Sequence, residues 1–212
     1  MTTQRVVGRS GRVPAALLEE HEAALLEAAR SLFYEHGFEG TSIETIARLA
    51  HVSPKTIYTR FGSKQGLLAA CIGTRSDEVH AALKTPFVSG EDVRSALIKY
   101  GTLLLTVTSG AEAVRIQRLV IAETTRFPEL GEAVYAAGPG RVTNTLATFF
   151  ARATAEGLLR VPDPDAAAEM FAGALLGVPM RDALLRNVKL SPAVIAAKAK
   201  AIAGLFVSAY AA

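Results

Sequence analysis

Residues 41–61 read TSIETIARLAHVSPKTIYTRF. Ile43, Ile46, Ala47 and Ala50 return at three- and four-residue spacing, so a short helix with one apolar face is expected there. Its start carries the spacing of a capping box, with Thr41 accepting from the third backbone N–H and Glu44 reaching back. The pattern breaks at His51 and Val52. Ser53 then offers an N-cap oxygen, Pro54 takes the first helical position where its missing N–H costs nothing, and Ile57 and Phe61 carry a second apolar face. Two short helices joined by so tight a turn form a helix-turn-helix, whose second helix enters the DNA major groove while the first crosses the backbone. With Ile57 and Phe61 turned inward, Lys55, Thr56, Tyr58, Thr59 and Arg60 cover the outer surface. Cations suit phosphates or guanine edges, hydroxyls suit phosphates, and a threonine methyl suits thymine. Periodicity alone fits an ordinary solvated helical hairpin equally well.

Outward from this stretch the pattern stays helical. A first helix is expected from near Ala15 to His36, its stripe made by Leu18, Leu25, Ala28, Ala29, Leu32 and Phe33. Gly37 closes it, and Phe38 folds back on the stripe. After Gly62, Ser63 can cap a helix running from Lys64 to about Lys84, stopped by Pro86. Further helices are expected at about Glu91–Ser109, Glu112–Thr125, Pro128–Ala137, Arg141–Gly157, Asp163–Asn187 and Pro192–Tyr210, with Gly or Pro at most joints and the GPGR of 138–141 read as a turn.

Half of the 212 residues are apolar, 20% are charged and there is no tryptophan, a balance that suits packed helices. Net charge is only +3, but it is unevenly placed. Residues 1–16 hold Arg5, Arg9 and Arg12 without an acid, residues 17–40 sum to −5, and residues 41–64 sum to +3. A basic arm ahead of a compact basic segment is what minor-groove and phosphate contacts require. Cys71, the single cysteine, reads as a small apolar packing residue. With no charged-then-apolar leader and no 18-residue apolar run, a cytoplasmic protein away from membranes is expected.

From Leu25 to Leu68 the chain resembles the DNA-binding domain of the tetracycline-repressor (TetR/AcrR) family. Three pieces match in order: ARSLFYEHGFEGTS, IETIARLAHVSPKTIYTRF and GSKQGLL. The resemblance implies an all-α protein with a three-helix head that reads DNA and a fourth helix leading into a larger helical body for dimerisation and ligand binding. The corresponding division is a flexible basic arm at 1–16, a DNA-binding domain at 17–63 and a body at 64–212. It further implies phosphate contacts at Ser42, Thr56, Tyr58 and Lys64, with Thr41 capping, and groove contacts at Pro54, Lys55, Thr59 and Arg60. His51 stands where the family usually has a turn glycine, and Arg60 where it usually has His or Tyr, so the operator sequence cannot be copied from a relative.

The body resembles the family loosely, through LVIAETTRFPEL and the closing helix pair. Met170, Phe171, Ala174, Leu175, Val178, Leu184 and Leu185 line one closing helix, and Val194, Ile195, Ile202, Leu205, Phe206 and Ala209 the other. Gly173 and Gly177 would let another helix approach, and Pro179 should kink its own helix. In the family these helices pair with their mates, so a homodimer through about 163–187 and 192–210 is expected on a near-palindromic operator. Tyr100, Thr102, Thr106, Glu123 and Asn144 could line a cavity for a small, largely apolar inducer, or could each be satisfied core residues; the ligand contacts stay unassigned.

Enzyme marks are missing: there is no G-x-S-x-G, H-E-x-x-H, Walker loop or dinucleotide glycine pattern. His21, His36, His51 and His80 are scattered, and Asp77 and Glu78 near His80 make no metal spacing, so neither a metal nor a cofactor is expected. The reading is therefore a DNA-binding regulator, most simply a ligand-released repressor. Alternatives are an activator or ligand-independent regulator of the same fold, and a helical interaction module that does not bind DNA.

Overall fold

The computed structural model describes residues 15–73 and 92–212, with side chains from residue 21 onward. The arm arginines, His80, Asp77, Glu78, Pro86 and the far half of the expected fourth helix lie outside the described residues. Three helices form the head: α1 (Ala15–His36), α2 (Ile43–Leu49) and α3 (Pro54–Phe61). Residues 64–73 are helical and are termed α4. The body follows as α5 (Val93–Thr108), α6 (Ala111–Glu123), α7 (Pro128–Ala137), α8 (Pro139–Ala155), α9 (Pro164–Arg186) and α10 (Pro192–Ala209). Among the described residues the extended pairing is one isolated antiparallel bridge, Leu159 to Ala211.

Local chemistry sets the ends of these elements. Gly37 and Gly62 take positive φ after α1 and α3, the left-handed backbone glycine adopts without strain. Asp92, Asp163 and Ser191 each accept a hydrogen bond at the start of α5, α9 and α10. The GPGR stretch is not a full turn: Gly138 alone breaks the chain, and Pro139 opens α8 at a helical position where proline is tolerated. Pro179 sits within one continuous helix, α9.

Two apolar clusters hold the described residues together. The body core joins α5, α8, α9 and α10 through Leu97, Tyr100, Phe150, Phe171, Leu175 and Phe206, with Phe171 and Phe206 edge-to-face at 5.1 Å. Gly101 permits the close approach of α5 to α10, since a Cβ there would stand 3.4 Å from the Ala199 Cβ. The second cluster begins in the head with Leu25, Phe33, Ile46 and Ile57, but it continues into Leu67, Leu68 and Cys71 and takes in Ile116, Val120 and Leu130 of the body. Packing thus runs on past residue 63, and α6 and α7 form one wall of the head.

The expectation that no 18-residue apolar run occurs also needs correction. Helix α10 is long and apolar enough to cross a membrane by length and composition alone, at mean hydropathy 1.4, despite Lys198 and Lys200. In the fold, Ile195, Ala199, Ala203 and Phe206 face the body core.

Candidate nucleic-acid interface

The turn between α2 and α3 is a Schellman motif. Val52 N–H donates to the Ala47 carbonyl at 2.9 Å and His51 N–H to that of Arg48 at 3.4 Å, with His51 at φ 54°. Histidine therefore adopts the left-handed backbone usually given to glycine. Helix α3 then starts on Ser53, whose hydroxyl accepts from Thr56 N–H at 3.0 Å, with Pro54 next. Ile57 is fully buried and fixes the rotation of α3, so Pro54, Lys55, Thr56, Tyr58, Thr59 and Arg60 all stand exposed.

Two exposed residues have company. The Thr56 hydroxyl is 2.8 Å from that of Ser53. The Arg60 guanidinium donates to Glu22 on α1, which offsets the charge expected to distinguish this recognition helix. Nothing in the α3 sequence signals that pair, because its partner lies 38 residues upstream.

The start of α2 differs from the expected capping box. Ser42 is the N-cap, its hydroxyl accepting from Thr45 N–H at 3.1 Å, and it is exposed. Thr41 is buried, and its hydroxyl lies 3.0 Å from the Leu32 carbonyl and 2.7 Å from that of Gly37. A side chain so placed ties α2 to the end of α1 and presents no hydroxyl to DNA. The shift by one residue follows from the competition of two hydroxyls for one cap: the buried one serves the α1 carbonyls.

Lys64 is half-buried. Its ammonium donates to the Phe38 carbonyl at 2.7 Å and the Thr41 carbonyl at 3.0 Å, and lies 4.4 Å from the Phe38 ring centroid. Burial lowers its pKa, while Glu39 and Glu123 pull the other way. Much of its hydrogen-bonding capacity thus goes to holding the α1–α2 loop. The same loop meets the body, with Phe38 edge-on to Phe127 at 5.5 Å and Arg126 paired with Glu39, and beside it the Gln65 amide of α4 donates to Glu129 at 3.0 Å.

Behind this contact lies a cavity of about 540 Å³. Body residues such as Val107, Ile116 and Val142 line it, and so do Arg30 and Tyr34 of α1 and Cys71 of α4. None of Tyr100, Thr102, Thr106, Glu123 and Asn144 does. Tyr100 is fully buried in the body core. The α1 contribution was legible: Arg30 follows Leu26 by four residues and precedes Phe33 by three, so an arginine falls on the apolar stripe.

Comparison with known proteins agrees with this architecture. Residues 25–71 match the family model "Bacterial regulatory proteins, tetR family", and residues 95–212 match "AefR-like transcriptional repressor, C-terminal domain". A solved TetR-family regulator from Mesorhizobium loti is 28% identical, with a TM-score of 0.76 over 92% of this chain and 98% of that one. The flavonoid-responsive regulator FrrA is 29% identical, with a TM-score of 0.71 over 91% and 98% of the two chains. The transcriptional regulator UidR of Escherichia coli is 28% identical over 106 residues, 50% of this chain and 53% of that protein. The alignment thus spans about half the length of that curated relative. With its second family model covering more than half of its residues, the chain belongs to the TetR family and is a DNA-binding helix-turn-helix transcriptional regulator, not an enzyme.

Proposed function

We propose that this protein is a cytoplasmic repressor that binds a near-palindromic operator as a homodimer and is released by a small, largely apolar molecule held in the 540 Å³ cavity. The observation that carries the reading is the composition of that cavity: its wall draws on α1 of the head as well as on the body. An occupant that fits one head position better than another must bias DNA binding, and a coupling of about 1 to 3 kcal/mol corresponds to about 5- to 150-fold in operator affinity. The route we favour runs from Thr124 and Gly131 on the cavity wall, through Phe127, to Phe38 and the loop held by Lys64. The description of FrrA as flavonoid-responsive supports an apolar ligand of ring size.

In this reading Lys55, Thr56, Tyr58, Thr59, Arg60 and Pro54 meet DNA directly, Ser42 meets a phosphate, and Lys64 acts mainly by positioning. The dimer forms through α9 and α10. Met170, Val178, Val194 and Leu205 are exposed apolar residues on these two helices, and a Cβ added at Gly173 or Gly177 would meet nothing, which favours a close-packed mate.

A fluorescence-anisotropy titration on DNA flanking its own gene tests the proposal. Tight, salt-dependent binding that a cavity ligand weakens is expected, and by linkage operator DNA must weaken ligand binding by the same factor. Equal ligand affinities with and without operator would defeat the ligand-release mechanism.

A further inference from the structure

We propose that the cavity selects apolar molecules carrying one carboxylate, and that Arg30 is the residue that holds the carboxylate. This rests on the reading above that the cavity is a ligand site, and names the ligand's chemical class. Arg30 lines the cavity, is 9% exposed, and projects from α1 between the head-core residues Ala29 and Leu32. A guanidinium cannot shed its charge on burial, so it needs acceptors. The acceptor it has is Glu27, which meets Nη1 at 2.9 Å but is itself 68% exposed. Nε is buried with no acceptor among the described residues.

Cys71 and Glu112 share the wall with Arg30 and leave its Nε without an acceptor. Cys71 shares the wall, but burial pushes its thiol up to about 12, so it stays neutral, and it donates to the Leu26 carbonyl at 3.5 Å. Glu112, also on the wall, is an exposed residue. The rest of the cavity wall is supplied largely by side chains such as Ile72, Leu104, Ile116 and Val120. A fixed cation on an apolar wall favours an amphiphile over a neutral molecule or a dianion. Carboxylates fit best because their two oxygens match the planar edge of a guanidinium. A volume of about 540 Å³ lies in the usual range for drug-sized ligands and admits either an acyl chain or a fused ring.

The test uses the purified full-length protein with N-phenyl-1-naphthylamine, a neutral dye that brightens in apolar cavities. Decanoate and 1-decanol compete for the dye in one arm, 2-naphthoate and 2-naphthamide in another, so that chain and ring are told apart. In the wild type a carboxylate should displace the dye at concentrations at least ten times lower than its neutral counterpart. Arg30→Met should bring that ratio to about one while leaving the neutral competitors unchanged, and Arg30→Lys should restore part of it. A wild-type ratio near one in both arms, which needs no variant, overturns the proposal. So does an unchanged ratio in a folded Arg30→Met protein. Val107→Trp, which fills the cavity, should abolish dye brightening. If it does not, the dye binds elsewhere and the cavity reading fails together with this proposal, an outcome distinct from dye bound in the cavity with no preference for charge.

Discussion

Single residues carry the clearest consequences of the fold. His51 sits at φ 54°, where a side chain costs about 1 to 2 kcal/mol relative to glycine, partly offset by the greater freedom of glycine in the unfolded chain. His51→Gly should therefore raise stability by about 0.5 to 1 kcal/mol, and His51→Val should lower it; urea denaturation measures both. Lys55 and Lys64, read in sequence as a groove contact and a phosphate contact, also differ in place, the first exposed and the second half-buried. Lys55→Ala should leave stability unchanged while weakening operator binding and relaxing the preference for the base pair it meets, as anisotropy titrations on operator variants would show. Lys64→Ala removes two hydrogen bonds to loop carbonyls and should cost about 1 to 2 kcal/mol of stability as well as affinity, visible as a lower melting temperature. What separates the two is a tertiary contact 23 and 26 residues upstream, which no local pattern encodes. Thr41 and Ser42 show the same limit: the spacing places a hydroxyl at the start of α2, and burial decides which of the two neighbours caps.

At the scale of elements, periodicity and punctuation gave most helix bounds to within two residues, because glycine, proline and N-cap residues act through their own backbone. Helix α8 begins at Pro139 and not at Arg141, since a proline in a first turn extends the helix backward. Faces were harder to read. In α9 and α10 the sequence offers one broad apolar surface, whereas the fold divides it: Phe171, Leu175, Ile195 and Phe206 turn inward, while Met170, Val178, Val194 and Leu205 stay exposed. Mean hydropathy cannot separate a core face from an assembly face. If the outer face pairs with a mate, Leu205→Glu should convert a dimer into a folded monomer and weaken operator binding steeply. Light scattering checks the mass and circular dichroism the helix content; a wild-type protein that is monomeric at micromolar concentration would remove the basis for the expectation. The C-terminal end of α9 is held in turn by Arg118, which donates to the Ala183 and Leu184 carbonyls and to the Asn187 amide oxygen.

Across the whole molecule, head and body are one packed unit among the described residues, and titration should report it. Burial raises the pKa of Cys71, in the head–body cluster, from 9.0 to about 12, and raises that of Tyr100 in the body core as well. Both groups ionise more readily when unfolded, so their contribution is fully present below pH 9 and is lost as pH rises from there towards 12. Thermal melts should show stability falling across that window, with Cys71→Ala and Tyr100→Phe each flattening the decline; equal slopes in wild type and variants would contradict the assigned burial. The cavity's shared walls also bear on how such a protein can diverge. Arg30 and Tyr34 belong at once to the cavity and to the helix that supports the reading head, while Ile121, Ala172, Leu176 and Met180 line both the cavity and a second, open groove between α6 and α9. Substitutions at those six positions alter more than one property together. A descendant acquiring taste for a new molecule would find its freest path through Val107, Gln117 and Thr143, which border the cavity without that double duty, so natural variation in ligand choice should concentrate there while the α1 and α9 positions drift slowly.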